Sequence, residues 1–454
     1  MRIKILPVKR RNYMENYSKA EIMQLVEEED VEFIRLQFTD MFGVLKNVAI
    51  PSSRLFKAME NRCVIDRASL DGSIQSEEVD LYLRPVLNRF TILPWRPQQG
   101  KVARFLCDIC NDDGSEYEVS PRLILKKTVE KAEKMGYTFQ VNPECEFFLF
   151  HTDDNNLPTT VTHEKAGYLD TSPVDLGENT RRDIILTLEE MGYEIDSSHH
   201  ECAPAQHEID FTFENALATA DKIMTFKMAV RTIARRYGLH ATFMPKPRTD
   251  VDGSGMHLNM RLMKEGKNVF RDENGELSRE GEAFMAGILE HIQGMTAIFN
   301  PLVNSYKRLV PGFEAPSDVT WSRKRREALI HVRKRMGGGV NLELRSPDSA
   351  SNPYLVFALC LAAGLDGIEK NLKAPAEMTE SIRKMSLEEK REKGIQALPE
   401  NLSEALNYME QDVLLQEVLG EKFTSAYTKA KRKEWKSYLA QVSEWELNRY
   451  LYLV

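Results

Sequence analysis

Two glutamates stand where an apolar strand should carry apolar side chains. The stretch VNPECEFFLF (141–150) has the hydrophobic run of a buried strand, yet it holds Glu144 and Glu146. Side chains on a strand alternate between faces, so residues two apart point the same way. Val141, Phe147, Phe148 and Leu149 around them imply burial. Two buried like charges are costly unless a cation neutralises them. The bland alternative is one solvent-facing side of the strand, with the pair merely decorating it.

The pattern recurs. SSHHECAPAQHEIDF (197–211) brings Glu201 and Glu208 beside His199, His200 and His207. DGSGMHLNMRL (252–262) puts His257 on a strand after a glycine turn. GVNLELRSPD (339–348) aligns Asn341, Glu343 and Arg345 on one strand face, with Leu342 and Leu344 on the other. Each alone is weak, since a lone histidine beside an apolar strand is usually a satisfied core residue. Together they offer five glutamates and one histidine. Oxygen ligands with one imidazole suit Mg2+ or Mn2+ better than Zn2+. Two sites of three ligands each would make a two-metal clamp for phosphoryl oxygens. DVDGSG imitates the start of an EF-hand loop, but its twelfth position is Arg261 rather than a glutamate, so that reading is rejected.

Arginine and glycine supply further chemistry. SYKRLVPGFEAP (305–316) places Arg308 and Glu314 around a Pro-Gly turn, a flap candidate. WSRKRREALIHVRKRMGGG (321–339) is dense in arginine before three glycines. It is either a phosphate-facing cluster or a solvated basic face. P-loop, kinase and H-E-x-x-H signatures are absent.

The remaining chain frames these motifs. At 454 residues it is long enough for two or three domains. Hydrophobic residues at 42% and charged residues at 29% fit a globular enzyme and exclude disorder or a collagen-like chain. A net charge of −8 argues against general nucleic-acid binding. The longest apolar stretch, 354–365, is too short to span a membrane. Six sparse cysteines, among them the lone pair Cys107 and Cys110, predict reduced thiols and a cytoplasmic setting. Met14 reads as a more conventional start, with residues 1–13 an extension.

Residues 18–30 predict a capped helix and 31–50 a hairpin turning near Asp40–Gly43. A helix starts at Ser120-Pro121. Further helices are expected over 176–192, 215–238, 278–299 and 352–372, between strands YTFQVNPECEFFLF, HEIDFTF, HATFMPKP, MHLNMRL and NLELR. This is an α+β pattern. The expected domains are 14–115 and 116–454.

At these residues the sequence resembles bacterial type I glutamine synthetase, from about Tyr17 to Leu453. The most specific stretches are GKVARFLCDI, PECEFFLF, DLGENTRRDI, SSHHECAPAQHEIDF, HATFMPKP, GSGMH, NPLVNSYKRLVPGFEAP and SNPYL. The resemblance implies an N-terminal β-grasp-like domain. It implies a C-terminal catalytic domain whose antiparallel sheet is flanked by helices. It also implies a dodecamer with active sites between neighbouring subunits. The implied activity joins ammonium to the γ-carboxylate of glutamate at the expense of ATP, through γ-glutamyl phosphate.

By motif, Glu146, Glu201 and Glu208 would hold one Mg2+ or Mn2+. Glu144, His257 and Glu343 would hold a second, giving two per active site. Arg308 would bind the substrate carboxylate. Asp252, Gly253 and Arg345 would lie along glutamate. Arg326 would face the transferred phosphoryl group, with Asn341 beside ATP. Glu314 would close the ammonium site, and Asp66 would take the proton from ammonium.

Four departures from the family pattern stand out. Arg67 occupies a glycine position in the 66–71 loop, and an alignment with a gap moves the base from Asp66 to Asp71. Asp252 replaces asparagine. His331 and Asn341 replace arginines near ATP. The segment after residue 373 resembles the form lacking the adenylylation-loop tyrosine. Glutamine feedback and contacts with nitrogen-response regulators are implied by resemblance. The loop 66–71 motivates a second reading, a γ-glutamyl-amine synthetase using a larger amine. The lost arginines motivate a third, a catalytically impaired regulatory paralogue.

Overall fold

The computed structural model describes residues 17–71, 80–96, 99–334 and 339–454. The expected extension 1–13 and Arg335 lie outside them.

The first helix, Lys19–Glu28, begins with the expected reciprocal cap between Ser18 and Glu21, and buries Ile22 and Val26. The strands that follow are β1 (Val31–Thr39), β2 (Leu45–Pro51), β3 (Cys63–Asp66), β4 (Asp80–Pro85), β5 (Thr91–Ile92) and β6 (Lys101–Cys110). They form one sheet in the order β2-β1-β6-β4-β3, with β5 also on β6. β1 and β2 make the expected hairpin. β1 and β6 run parallel at the centre, and the other pairs are antiparallel. Cys107 and Cys110 sit three apart on β6, so they point to opposite faces, and both thiols are free.

The helix Pro121–Lys134 leads into a second sheet. Ser120 occupies its N-cap position without a capping bond from its side chain, so the proline provides the start signal. The second sheet holds β7 (Thr138–His151), β8 (Ile195–His200), β9 (Gln206–Phe211), β10 (Glu214–Asn215), β11 (Leu239–Thr242), β12 (Met256–Lys264), β13 (Lys267–Asn268), β14 (Trp321–Ser322), β15 (Ile330–Lys334) and β16 (Val340–Leu344). Its main path is β14-β15-β16-β12-β7-β9-β8. All its pairs are antiparallel except β14 with β15. HATFMPKP is a strand only as far as Thr242. Pro245 and Pro247 keep the residues beyond from extending it, since proline cannot donate to a ladder.

The four long helices appear as Glu178–Glu190, Ala216–Arg236, Arg279–Phe299 and Pro353–Glu369. The last is buried along most of its length, which is why its sequence is apolar all round. No helix among the described residues is long and apolar enough to cross a membrane.

Buried charge ties the layers together. Asp221 accepts from Arg122 at 2.9 Å, from Arg89 at 2.8 Å and from the Tyr354 hydroxyl at 2.7 Å. Those partners sit on two other helices and on the segment between β4 and β5. Breaking such a buried pair from one side typically costs about 3–5 kcal/mol.

Candidate active site

Strand register explains how distant glutamates meet. Glu144 on β7 stands opposite His257 on β12 and Asp210 on β9. Glu146, two residues on, stands opposite Glu208. Asn259 on β12 faces Glu343 on β16, and Glu343 faces His331 on β15. Glu208 faces His199 on β8. The alternate residues Cys145, Ile209, Leu258, Leu342 and Leu344 are buried apolar core. The sheet thus has an apolar side and a polar side, and the expected strand ligands lie on the polar side.

The two expected ligand sets behave differently. In the first, His257 Nδ1 is 3.4 Å from Glu144 and 3.9 Å from Glu343. One donor atom from each of the three lies within 4.8 Å of the others. Arg333 spans the pair, 2.7 Å from Glu144 and 3.4 Å from Glu343. Arg345 donates to Glu343 at 2.6 Å. Burial alone would raise Glu144 and Glu343, but the nearby histidines and arginines hold both carboxyls below the usual range. His257 is pushed down by burial and by Arg345, so it stays neutral and able to ligate.

The second set lacks such compensation. Glu146 is pushed up to about 8 by burial and by Glu201. Glu208 is driven well above the carboxylate range by burial and by Asp210, Glu146, Glu144 and Glu201. Asp210 is raised to about 6 by burial and by Glu144. His199 links the group, 2.9 Å from Glu201 and 3.6 Å from Glu208. His199, Glu208 and Asp210 also have donor atoms within 4.8 Å of one another. These carboxylates crowd together with too little positive charge. A hard divalent cation, taking oxygen ligands and relieving that repulsion, fits the donor set.

The backbone holds this second set firmly. One oxygen of Glu146 accepts from Gln206 Nε2 and from Gly255 N, each at 2.8 Å. The turn carrying Glu201 is fixed by buried Glu164, which accepts from His200 Nε2 at 2.7 Å, Ala205 N at 2.5 Å, Leu176 N at 2.7 Å and Gly177 N at 3.2 Å. Glu164, Asp175, His200 and His207 form a further buried cluster. Arg181 is already its cation, 2.9 Å from Asp175 and 2.8 Å from His207.

Arg308 is buried and donates to the carbonyls of Ser346 at 2.9 Å and Arg345 at 3.1 Å. Glycines let it approach. A Cβ on Gly253 would lie 2.2 Å from the Pro245 carbonyl, and one on Gly255 would lie 2.5 Å from Arg308. The Cys202 thiol is pushed up to about 12 by burial, then by Glu314, Glu201, Asp252 and Glu146. Asp252 accepts the backbone N–H of Glu314 at 2.9 Å. Its carboxylate is engaged by the flap.

Asn341 is buried opposite Arg333 in the β15–β16 register. Arg326 is exposed, and its charge reaches Tyr168, whose ring stands edge-on to His199. Asp66 is exposed at the end of β3 and accepts from Ala68 N at 2.8 Å. It belongs to the other sheet, apart from the ligand residues.

Sequence reasoning missed Asp210, Asn259, Gln206 and Tyr168 as parts of this site, while Arg333 lay in the arginine-dense stretch read as a candidate phosphate-facing cluster. Asp210 was findable, since it lies two residues after Glu208 on the same strand face. Arg333 shares a face with His331 by the same rule. Gln206 opens β9 two residues before Glu208 and was findable by the same rule, whereas Tyr168 arrives from a loop, which carries no period.

The family model "Glutamine synthetase, beta-Grasp domain" matches residues 30–112, and "Glutamine synthetase, catalytic domain" matches residues 118–450. A glutamine synthetase from Clostridium saccharobutylicum is 55% identical over 440 residues, covering 96% of this chain and 99% of that one. One from Thermus thermophilus is 47% identical over 441 residues, with 96% and 99% covered. A solved GmaS/ADP complex superposes with a TM-score of 0.84 at 29% identity, covering 94% of this chain and 99% of the other. The chain belongs to the glutamine synthetase family, in its bacterial type I form.

Proposed function

We propose that the cleft joins ammonia to the γ-carboxylate of glutamate, using ATP and passing through γ-glutamyl phosphate. The observation that carries this reading is the gathering of Glu144, His257 and Glu343, with Glu146 and Glu208 paired next to them on the same sheet face and Glu201 just past the end of β8. Each set of three would hold one Mg2+ or Mn2+. When bound, such ions stabilise charge on the transferring phosphoryl group.

The chain's own residues do the rest. Arg308 orients the α-carboxylate of glutamate, with Gly253 and Arg345 along its length. Arg326 faces the phosphoryl group. Arg333, in hydrogen-bond contact with Glu144, keeps a guanidinium in the pocket where His331 and Asn341 have replaced two others. Glu314 closes the ammonium side and limits water. Asp66 serves the cleft of a neighbouring copy, taking a proton from ammonium so that neutral ammonia attacks. That role requires a closed homo-oligomer, which we take to be a dodecamer working in the cytoplasm, with residues 14–115 and 116–454 as its two domains.

One observation favours a second reading. Arg67 stands where the family has glycine, beside the proposed base, so the acceptor could be a larger amine. The experiment is a panel of amines offered to purified protein with Mg2+, ATP and glutamate. Phosphate release coupled to glutamine with ammonium is the expected outcome. Turnover only with alkylamines or polyamines would select the second reading, and none with any amine would select the regulatory paralogue.

A further inference from the structure

The segment carrying Glu314 is fastened at three points. The ring of Phe313 lies over Lys246, whose Nζ is 3.2 Å from the ring centre. The backbone N–H of Glu314 donates to Asp252 at 2.9 Å. Arg383 donates to the Phe313 carbonyl at 2.7 Å.

Lys246 is itself well anchored. It is only 6% exposed. Its Nζ donates to the Val251 carbonyl. Its backbone N–H donates to the Asn304 side chain at 2.8 Å, and its carbonyl accepts from the same amide at 3.0 Å. A buried ammonium with a fixed backbone has little reason to sit under an aromatic ring unless that ring is to be held. A cation over a ring face is attracted more strongly as water is excluded. Asp252 completes the hold through a carboxylate oxygen, a stronger acceptor than a neutral amide.

We infer that Lys246, Asp252 and Arg383 latch the Phe313–Glu314 segment over the cleft, and that the latch governs how much acyl phosphate is lost to water. Lys246 is thereby a positioning residue, acting through Phe313. The proposal deepens the ligase reading and rests on it. In the loss reaction, a water oxygen attacks the γ-carbonyl carbon and the bond from that carbon to the phosphate oxygen breaks. Glutamate and inorganic phosphate leave, and the surplus proton goes to solvent. ATP is then spent without glutamine.

The test measures phosphate and glutamine in the same reactions, with saturating ammonium. Wild type should release close to one phosphate per glutamine. In Lys246→Met the phosphate released in excess of glutamine should rise about two- to five-fold, the factor that one lost cation–ring contact is worth. Lys246→Arg should return it towards wild type. Phe313→Leu removes the ring from the other side and should raise the ratio likewise, which keeps the test decisive if Lys246→Met fails to fold. A variant that loses both products in step, at an unchanged ratio, would overturn the latch. A wild type that makes no glutamine would overturn the ligase reading instead, leaving the two failures distinct.

Discussion

At the scale of single residues, the cleft sets function against stability. Glu208 is buried among Asp210, Glu146, Glu144 and Glu201, which is an unfavourable place for a carboxylate without a cation. Glu208→Gln should therefore do two opposite things. Ligase activity should fall by more than the ~10–100-fold typical of groups that merely support metal ligands. Thermal stability in chelator should stay the same or rise by about 1 kcal/mol, because a glutamine needs no proton taken up to be buried there. Melting curves with and without chelator, beside a glutamine assay, check both. Much of this site was legible beforehand: Glu144 and Glu146 betrayed themselves as charges inside an apolar run. Asp252 was not, because the direction of a loop carboxylate depends on which backbone N–H reaches it, here that of Glu314.

At the scale of elements, the strand faces were readable because a period of two separates them, and the long helices because their apolar stripes are wide. The segment β8 was not read as a strand, since SSHH has little strand character of its own. It is one because β9 pairs with it. The helical layer also holds a pH-sensitive tie. His291 on the helix Arg279–Phe299 is 2.7 Å from Asp412 and 3.3 Å from Asp366, itself paired with Lys370 at 2.9 Å. Burial pulls the imidazole down, but the two carboxylates outweigh it and the net shift is upward. A raised folded value means that the imidazolium's contribution is complete below the unfolded value of about 6.5 and is lost as pH climbs through the folded one. His291→Gln should thus cost about 1–2 kcal/mol near pH 6, with the gap to wild type narrowing above neutrality. Denaturant melts across that range would show it, and a gap independent of pH would refute it.

At the scale of the whole molecule, the chain carries two sheets with different tasks. The second presents the metal-class ligands, and the first ends at Asp66 on an edge strand. Period and composition gave no hint that a residue of one sheet would serve another copy's cleft. That expectation came from resemblance alone. The C-terminal helix Glu444–Tyr450 is exposed along its length, with Trp445, Leu447 and Tyr450 uncovered. Everything functional nonetheless returns to the polar face of the second sheet. Its claim is most directly tested by counting Mn2+ ions bound per chain at equilibrium, with Glu146→Gln and Glu343→Gln measured alongside. The account predicts about two ions per chain for wild type, with each variant weakening one of them. No specific binding by wild type, or undiminished binding by both variants, would contradict it.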